Sequence, residues 1–148
     1  NQIILGIFVF FPFIVLIHEL GHVFFGKLLD MKILSVTIGS GPTIFKFKNL
    51  KVKLIYFFYG FTEYEGISLD LNKKIIFLLG GIIFNILSIF ILTFLIKFNI
   101  LDEYIFTPFI TFSESAIILA VLPLKYSDNC MSDVLQIYNS IKHKKINK

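Results

Sequence analysis

The chain has 148 residues, of which 56% are hydrophobic and 16% are charged. The charged residues are gathered in blocks that leave long uncharged runs between them, which is typical of a membrane-spanning protein. All 14 basic residues are lysine, so no guanidinium groups are present to read phosphates or bases, and we expect no nucleic-acid partner. The single cysteine excludes an internal disulfide bond.

Two uncharged segments are long enough to cross a bilayer as helices. Residues 3–29 have no charge before Glu19, and about 20 helical residues extend across roughly 30 Å of hydrocarbon. A basic n-region and an Ala-x-Ala cleavage site are both absent, which argues against a signal peptide. Residues 75–96 contain no charge and have lysines on both sides. We therefore predict two spanning helices.

A third apolar segment is less regular. Ser113 and Glu114 could cap a helix that runs through "SAIILAVLPL", and Pro123 interrupts the pattern before a polar stretch. The pattern predicts one broken helix over residues 113–141, with the break near 123–130.

The lysines predict how these helices are oriented. They are concentrated between the first and second spans and after the third, and three crossings place both groups on one side of the membrane. The positive-inside rule makes that side cytoplasmic. We expect a multi-pass integral membrane protein with residues 32–74 and the C-terminus in the cytoplasm and the 98–112 connection outside.

The stretch "IVLIHELGHVFF" places ionisable side chains inside the first span. His18 and His22 are four residues apart, so they project from one helix face and can bind one metal ion. Glu19 is placed to reach the attacking water rather than the metal. Zinc accepts imidazole ligands, needs a third protein ligand and leaves a position open for water in catalytic sites. Each ionisable residue at mid-membrane costs about 3 kcal/mol on insertion scales, so a merely structural histidine pair is disfavoured.

The residues alone do not identify the third ligand, because three carboxylates are available: Asp128, Asp133 and Glu114. Cys130 is a further candidate, although a lone cysteine in an apolar helix is more often a packing residue. Asn85 places an amide in the second span, where it either donates a hydrogen bond to another helix or has a role in the active site.

The region 32–66 is too short of continuous apolar length to cross the membrane. Within it, "IFKFKNLKVKLIY" alternates between apolar residues and lysines, with a reversal at Asn49–Leu50. This pattern predicts an amphipathic hairpin whose lysine face suits anionic headgroups and whose apolar face lies at the bilayer boundary. Such a hairpin either closes the site or holds unwound substrate at its edge strand.

Together these motifs resemble the site-2 protease family of intramembrane zinc metalloproteases, peptidase family M50. "HELGH" is similar to the zinc helix of the family, "SVTIGSGPTIFKF" to the segment that enters a membrane-associated sheet, "LGGIIFNILS" to the asparagine stretch of the second core helix, and "LPLKYSDNC" to the Leu-Pro…Asp-Gly motif. The resemblance covers most of the chain. It implies that Asp128 is the third zinc ligand and that Asn85 binds substrate backbone or the oxyanion. The sequence departs from the family at Asn129 and Cys130, where Gly-Gly is usual, and at Ile82, where proline is usual.

The resemblance implies a membrane all-α fold, namely a three-transmembrane-segment site-2 protease core with a small membrane-associated β-hairpin, as one domain over residues 1–148. The expected function is that of an intramembrane zinc endopeptidase that cleaves a membrane-anchored protein or peptide, as in regulated intramembrane proteolysis, with Glu19 as the catalytic base. Expected partners are this substrate, the lipid bilayer and a regulatory membrane partner. The alternative is a catalytically inactive membrane binding or immunity protein with the same fold, which the intact Glu19 disfavours.

Overall fold

The computed structural model describes residues 2–65, 70–127 and 130–146. The chain is mostly helical. Its elements in order are α1 (Gln2–Leu5), a π-helical turn (Gly6–Phe10), α2 (Phe11–Leu28), β1 (Lys32–Phe47), β2 (Leu50–Glu65), α3 (Leu71–Lys97), α4 (Glu103–Val121), β3 (Lys125–Ser127), β4 (Cys130–Met131) and α5 (Asp133–Ile146).

Three helical segments are long and apolar enough to cross a membrane: Gln2–Leu28, Leu71–Lys97 and Glu103–Val121. The first consists of α1, the π-helical turn and α2, and the other two are α3 and α4. The first two agree with the spans predicted from the sequence. Their outward faces carry large exposed apolar side chains, such as Phe24 at 52% exposure and Phe90 at 75%. An outer surface of this kind is suited to contact with hydrocarbon rather than with water.

The third span begins ten residues earlier than the predicted start at residue 113. Asp102 caps α4, because its carboxylate accepts a hydrogen bond from the amide of Ile105 at 3.0 Å. Ser113 and Glu114, which the sequence analysis read as a helix start, instead lie inside α4. A carboxylate at the N-cap satisfies an amide that has no partner within the helix, and this fixes where α4 starts.

The predicted interruption near 123–130 is present, but it separates two helices rather than bending one. α4 ends at Val121, just before Pro123, and the described residues that follow form the short antiparallel pair β3 and β4. α5 then starts at Asp133. The 113–141 segment is therefore the second half of one helix, a small hairpin and part of another helix.

Helices α2 and α3 pack closely through glycine. A methyl group on Gly21 would overlap the carbonyl oxygen of Gly80, and one on Gly81 would overlap the ring of His18. Small residues of this kind let two membrane helices approach each other at backbone distance. The side chains of Phe77 and Leu78 are buried beside this contact, at 2% exposure each. The glycines thus bring α3 within reach of the histidine-bearing face of α2.

The predicted hairpin is confirmed, and its two strands have 16 residues each. It reverses between Phe47 and Leu50, which are paired, so the turn lies one residue earlier than predicted. β1 bends sharply in the segment that contains Gly39 and Gly41, both of which have φ of 86°. At that φ a side chain is strained, and a methyl group on Gly39 would also overlap the backbone at Ile55.

The bend folds the hairpin back on itself. Val36, in the first half of β1, is paired with Thr62 on one edge and with Leu50 on the other. The inner face of this sheet rests on α2, where Val36 and Ile38 pack around Val15. The sheet therefore places the segment around Gly60 and Thr62 directly over the middle of α2.

Candidate metal centre and active site

His18, Glu19 and His22 lie in the C-terminal half of the first candidate span. One helical turn separates the histidines, and their Nε2 atoms are 3.1 Å apart, as the four-residue spacing predicts. The three side chains offer ligand atoms that lie within 4.8 Å of one another. Glu19 and His22 are buried, with 4% and 5% exposure.

Asp133, the first residue of α5, adds a carboxylate to the histidine pair. Its Oδ2 is 3.0 Å from Nε2 of His18, and its Oδ1 is 3.6 Å from Nε2 of His22. Ser132 fixes this position, because its hydroxyl oxygen accepts hydrogen bonds from the amides of Leu124 and Leu135 at 3.1 and 3.3 Å. Ser132 is thus the N-cap of α5 and also ties its start to the preceding loop. Two imidazole nitrogens and one carboxylate converge on one point.

The other candidates for the third ligand are placed as follows. Asp128 lies outside the described residues, so its assignment stays a prediction. Glu114 is exposed on α4 and does not line the cavity that contains the histidines. Cys130 does line that cavity, but among the described residues it is the carboxylate of Asp133, and not the sulfur of Cys130, that is found in contact with the imidazoles. Burial, with the nearby carboxylates of Glu19 and Asp133, raises the pKa of the Cys130 thiol and favours its neutral form.

α3 contacts the second ring nitrogen of both histidines. Nδ1 of His22 is 2.9 Å from the carbonyl oxygen of Phe77, to which it donates a hydrogen bond. Since that nitrogen carries the proton, Nε2 of His22 has a lone pair directed towards Asp133 and His18. A backbone carbonyl in this position is the usual way in which a protein fixes a metal-binding imidazole.

Asn85 occupies the corresponding position beside His18. Its amide nitrogen is 3.3 Å from Nδ1 of His18, its side chain is fully buried, and its Oδ1 has no partner among the described residues. Turning the amide by 180° brings Oδ1 to Nδ1, where it accepts a hydrogen bond from that ring nitrogen. His18 then also has an unprotonated Nε2. With the amide turned in this way, the donor set fits a metal ion held by the two imidazoles.

Glu19 is held apart from the ligand pair by the sheet. The hydroxyl of Thr62 donates a hydrogen bond of 2.6 Å to Oε2 of Glu19, and both residues are buried. A methyl group on Gly60 would overlap the Glu19 side chain, so this glycine makes room for the carboxylate. With one oxygen engaged by Thr62, Glu19 is less available as a ligand than Asp133, which faces both imidazoles at close range.

These residues surround one cavity with a volume of about 640 Å³. The cavity combines the polar groups of α2 with an apolar wall from α4, which includes Ala116, Leu119 and Ala120. Residues 59–62 of β2 form another side, and Tyr126 closes the loop side by donating a hydrogen bond to the carbonyl of Leu119 at 2.8 Å. An apolar groove with a few convergent polar groups is suited to binding a ligand.

The sequence found His18, Glu19 and His22 but did not separate Asp133 from the other carboxylates. The local sequence signal for Asp133 is the Ser132–Asp133 pair directly before a helical pattern, since serine is a favoured N-cap. Thr62 and Gly60 carried no such signal, because only the folding of the sheet onto α2 brings them to Glu19.

Comparisons with known proteins give three findings. A family model described as "Peptidase family M50" matches residues 6–147. The "Uncharacterized membrane protein YwmF" of Bacillus subtilis (strain 168) is 31% identical over 135 residues, which cover 89% of this chain and 84% of that protein. A protein of Borreliella burgdorferi named "Putative zinc metalloprotease" is 53% identical over 36 residues, which are 24% of this chain and 8% of that protein.

Proposed function

The chain belongs to peptidase family M50, and we propose that it is an intramembrane zinc endopeptidase that hydrolyses a peptide bond of a membrane-anchored protein or peptide. The observation that carries this proposal is the convergence of two imidazole nitrogens and one carboxylate beside a second, separately held carboxylate. All of them border one cavity beside the C-terminal half of a candidate span.

His18, His22 and Asp133 would hold the zinc ion. Two nitrogens and one oxygen are a donor set that catalytic zinc sites use, and Phe77 and Asn85 support both imidazoles from behind. Bound there, zinc would polarise the scissile carbonyl and lower the pKa of a water molecule. Asp128, which the family resemblance favours, remains the competing third ligand. The short distances from Asp133 to His18 and His22 support Asp133 instead.

Glu19 would act as the general base. Its carboxylate borders the cavity next to the ligands, and Thr62 holds Oε2 so that Oε1 is left to accept a proton from the attacking water. The same carboxyl group then returns this proton to the amide nitrogen as the C–N bond breaks, so proton and leaving group are both accounted for. The buried position of Glu19 keeps bulk water from competing for it.

The substrate would enter as an extended segment beside β2. Residues 59–62 line the cavity, and residues 60–62 pair with β1 along one edge. Among the described residues no strand pairs with their other edge. A free strand edge can hold an unwound peptide by main-chain hydrogen bonds. A peptide bond within a helix is shielded, so this unwinding has to precede cleavage. Asn85, whose side chain also borders the cavity, is proposed to bind the substrate backbone once the peptide is in place.

The test compares wild type with Glu19→Gln, which has nearly the same size but cannot take up a proton. Both proteins are produced in the membranes of the same host, and new peptide N-termini are identified by mass spectrometry. We expect cleavage sites within or beside membrane spans of host proteins for wild type only, while both proteins bind zinc equally. Zinc-loaded wild type that yields no cleavage beyond that of the variant would contradict the proposal and favour the inactive binding protein.

A further inference from the structure

The outward face of α4 carries polar side chains on a helix that is otherwise suited to lipid. Thr107, Thr111, Glu114 and Ile118 follow one another at intervals of four, three and four residues, and all four are exposed. This spacing places them in one line along the helix, as in the seam between two packed helices. We call these four residues the α4 stripe.

Glu114 lies deep within the candidate span. It is 11 residues from the start of α4 at Glu103 and 7 from its end at Val121, which corresponds to about 16 Å and about 10 Å along the helix axis. Within the described ranges its carboxylate has neither a hydrogen bond nor an ion pair. A carboxylate at this depth is unfavourable in hydrocarbon, and such residues ordinarily pair with a partner.

The α4 stripe presents acceptors and no free donors. The hydroxyl of Thr107 donates to the carbonyl of Glu103 at 2.7 Å, and that of Thr111 donates to the carbonyl of Thr107 at 3.2 Å. Both hydroxyl protons are therefore used within the helix, and only oxygen lone pairs point outward. Together with the Glu114 carboxylate they complement a side chain that has several donors and a positive charge.

We propose that the α4 stripe binds a membrane-spanning helix of another protein, and that this helix carries a lysine or arginine at the depth of Glu114. The proposal goes beyond the proposed hydrolysis and requires only that α4 crosses the bilayer. The face is separate from the cavity, since Ala116 and Ala120 of the same helix line the cavity from the other side.

A second copy of the chain does not supply the required cation. The basic residues of the three candidate spans all lie near the ends of those spans: Lys27, Lys73, Lys74 and Lys97. Two copies related by a two-fold axis through the α4 stripe would also place their Glu114 carboxylates against each other. The charge pattern thus selects a different protein as the partner.

Disulfide crosslinking in phosphatidylcholine vesicles tests the proposal without any measurement of hydrolysis. The probe is a synthetic leucine-alanine helix with a central lysine and a cysteine one turn away, and its control has leucine in place of that lysine. The protein carries Cys130→Ser and Ile118→Cys. A second protein with Cys130→Ser and Phe90→Cys reports random encounters on the exposed face of α3.

We expect the lysine peptide to crosslink to the Ile118→Cys protein roughly five- to thirtyfold more than the leucine peptide does. Adding Glu114→Gln or Glu114→Leu should remove this preference, and the Phe90→Cys protein should show none. Glu114→Leu places an apolar side chain in lipid, so the fold should persist, and circular dichroism checks this. Equal crosslinking of the two peptides, a preference that survives Glu114→Leu, or dominant crosslinking between two copies of the Ile118→Cys protein would each overturn the proposal.

Discussion

The two histidines are oriented by α3 rather than by their own helix. His22 donates from Nδ1 to the carbonyl of Phe77, and the Asn85 amide occupies the same position beside His18. Supporting groups of this kind keep an imidazole in one tautomer and one rotation, with Nε2 directed to the metal. We therefore propose that Asn85 orients His18 for metal binding, whether or not it also contacts substrate.

Asn85→Ala should lower zinc affinity by roughly 10- to 100-fold, because His18 loses the group that holds its ring. Competition with a chelator measures this affinity. Ser88→Ala is the matched control, since the Ser88 hydroxyl lies one turn away and only donates to the carbonyl of Asn85. An unchanged affinity in Asn85→Ala would leave substrate binding as the remaining role of the amide.

Thr62→Val should slow cleavage about tenfold or more while zinc content stays the same. Valine keeps the shape of threonine but cannot donate to Glu19, and a hydrogen bond to a charged group contributes about 1.5–3 kcal/mol. Thr37→Val, at another buried threonine of the same sheet, is the control. Equal rates for both variants would show that the hydrogen bond does not position the base.

The sequence identifies the residues of the site that are neighbours along one helix, but not those that meet by folding. His18, Glu19 and His22 are separated by known helical angles, so their arrangement follows from their spacing. Asp133 is 115 residues from His18, and no local rule ranks it above the other carboxylates. The Ser132 cap sets where α5 begins and so helps to place Asp133 beside the imidazoles.

At the scale of whole elements, the clean apolar runs were predicted well and α4 was not. The polar residues inside α4 look like a helix start, since serine and glutamate favour the first turn of a helix. In the folded chain the hydroxyl of buried Ser113 has no hydrogen-bond partner among the described residues and caps nothing. Its neighbour Ser115 donates to the carbonyl of Thr111, four residues earlier, at 2.9 Å. Asp102 was the true cap, but a long helix with a proline, Pro108, near its start obscured it.

Gly21→Ala should destabilise the protein by about 1–3 kcal/mol and reduce zinc binding, because the added methyl group meets the backbone of α3 at Gly80, which cannot move aside alone. Gly26→Ala is the control on the same helix, where the closest atom belongs to the flexible end of the Ile33 side chain. Thermal unfolding in detergent measures both. Equal melting temperatures for the two variants would mean that the close contact of Gly21 with Gly80 does not contribute to the stability of the protein.

At the scale of the whole molecule, three candidate spans lead us to expect the β1–β2 hairpin and α5 on the same side of the membrane. The hydrogen bond of 3.3 Å from Lys73 to the carbonyl of Leu29 brings the start of α3 to the end of α2, as two antiparallel spans require. Asp133 reaches the histidines from the end of the third crossing. With three crossings, we expect the site to be assembled from segments that return to one side of the bilayer.

Cysteine labelling in intact cells should find Lys51→Cys and Lys144→Cys on one side of the membrane and Ile100→Cys on the other, each in a Cys130→Ser background. The lysine distribution predicts that the first two are cytoplasmic. A membrane-impermeant maleimide, applied before and after permeabilisation, distinguishes the sides. Labels at Lys51→Cys and Lys144→Cys that report opposite sides would exclude the three-span arrangement.

The zinc content of the purified protein tests the metal centre most directly. Wild type should contain about one zinc ion per chain, as a site with two histidines and one carboxylate holds a single ion. His18→Ala, His22→Ala and Asp133→Ala should each lose most of this zinc, while Asp128→Ala should keep it, with gel filtration confirming that every variant is folded. Full zinc occupancy in Asp133→Ala together with loss in Asp128→Ala would contradict the centre described for this fold.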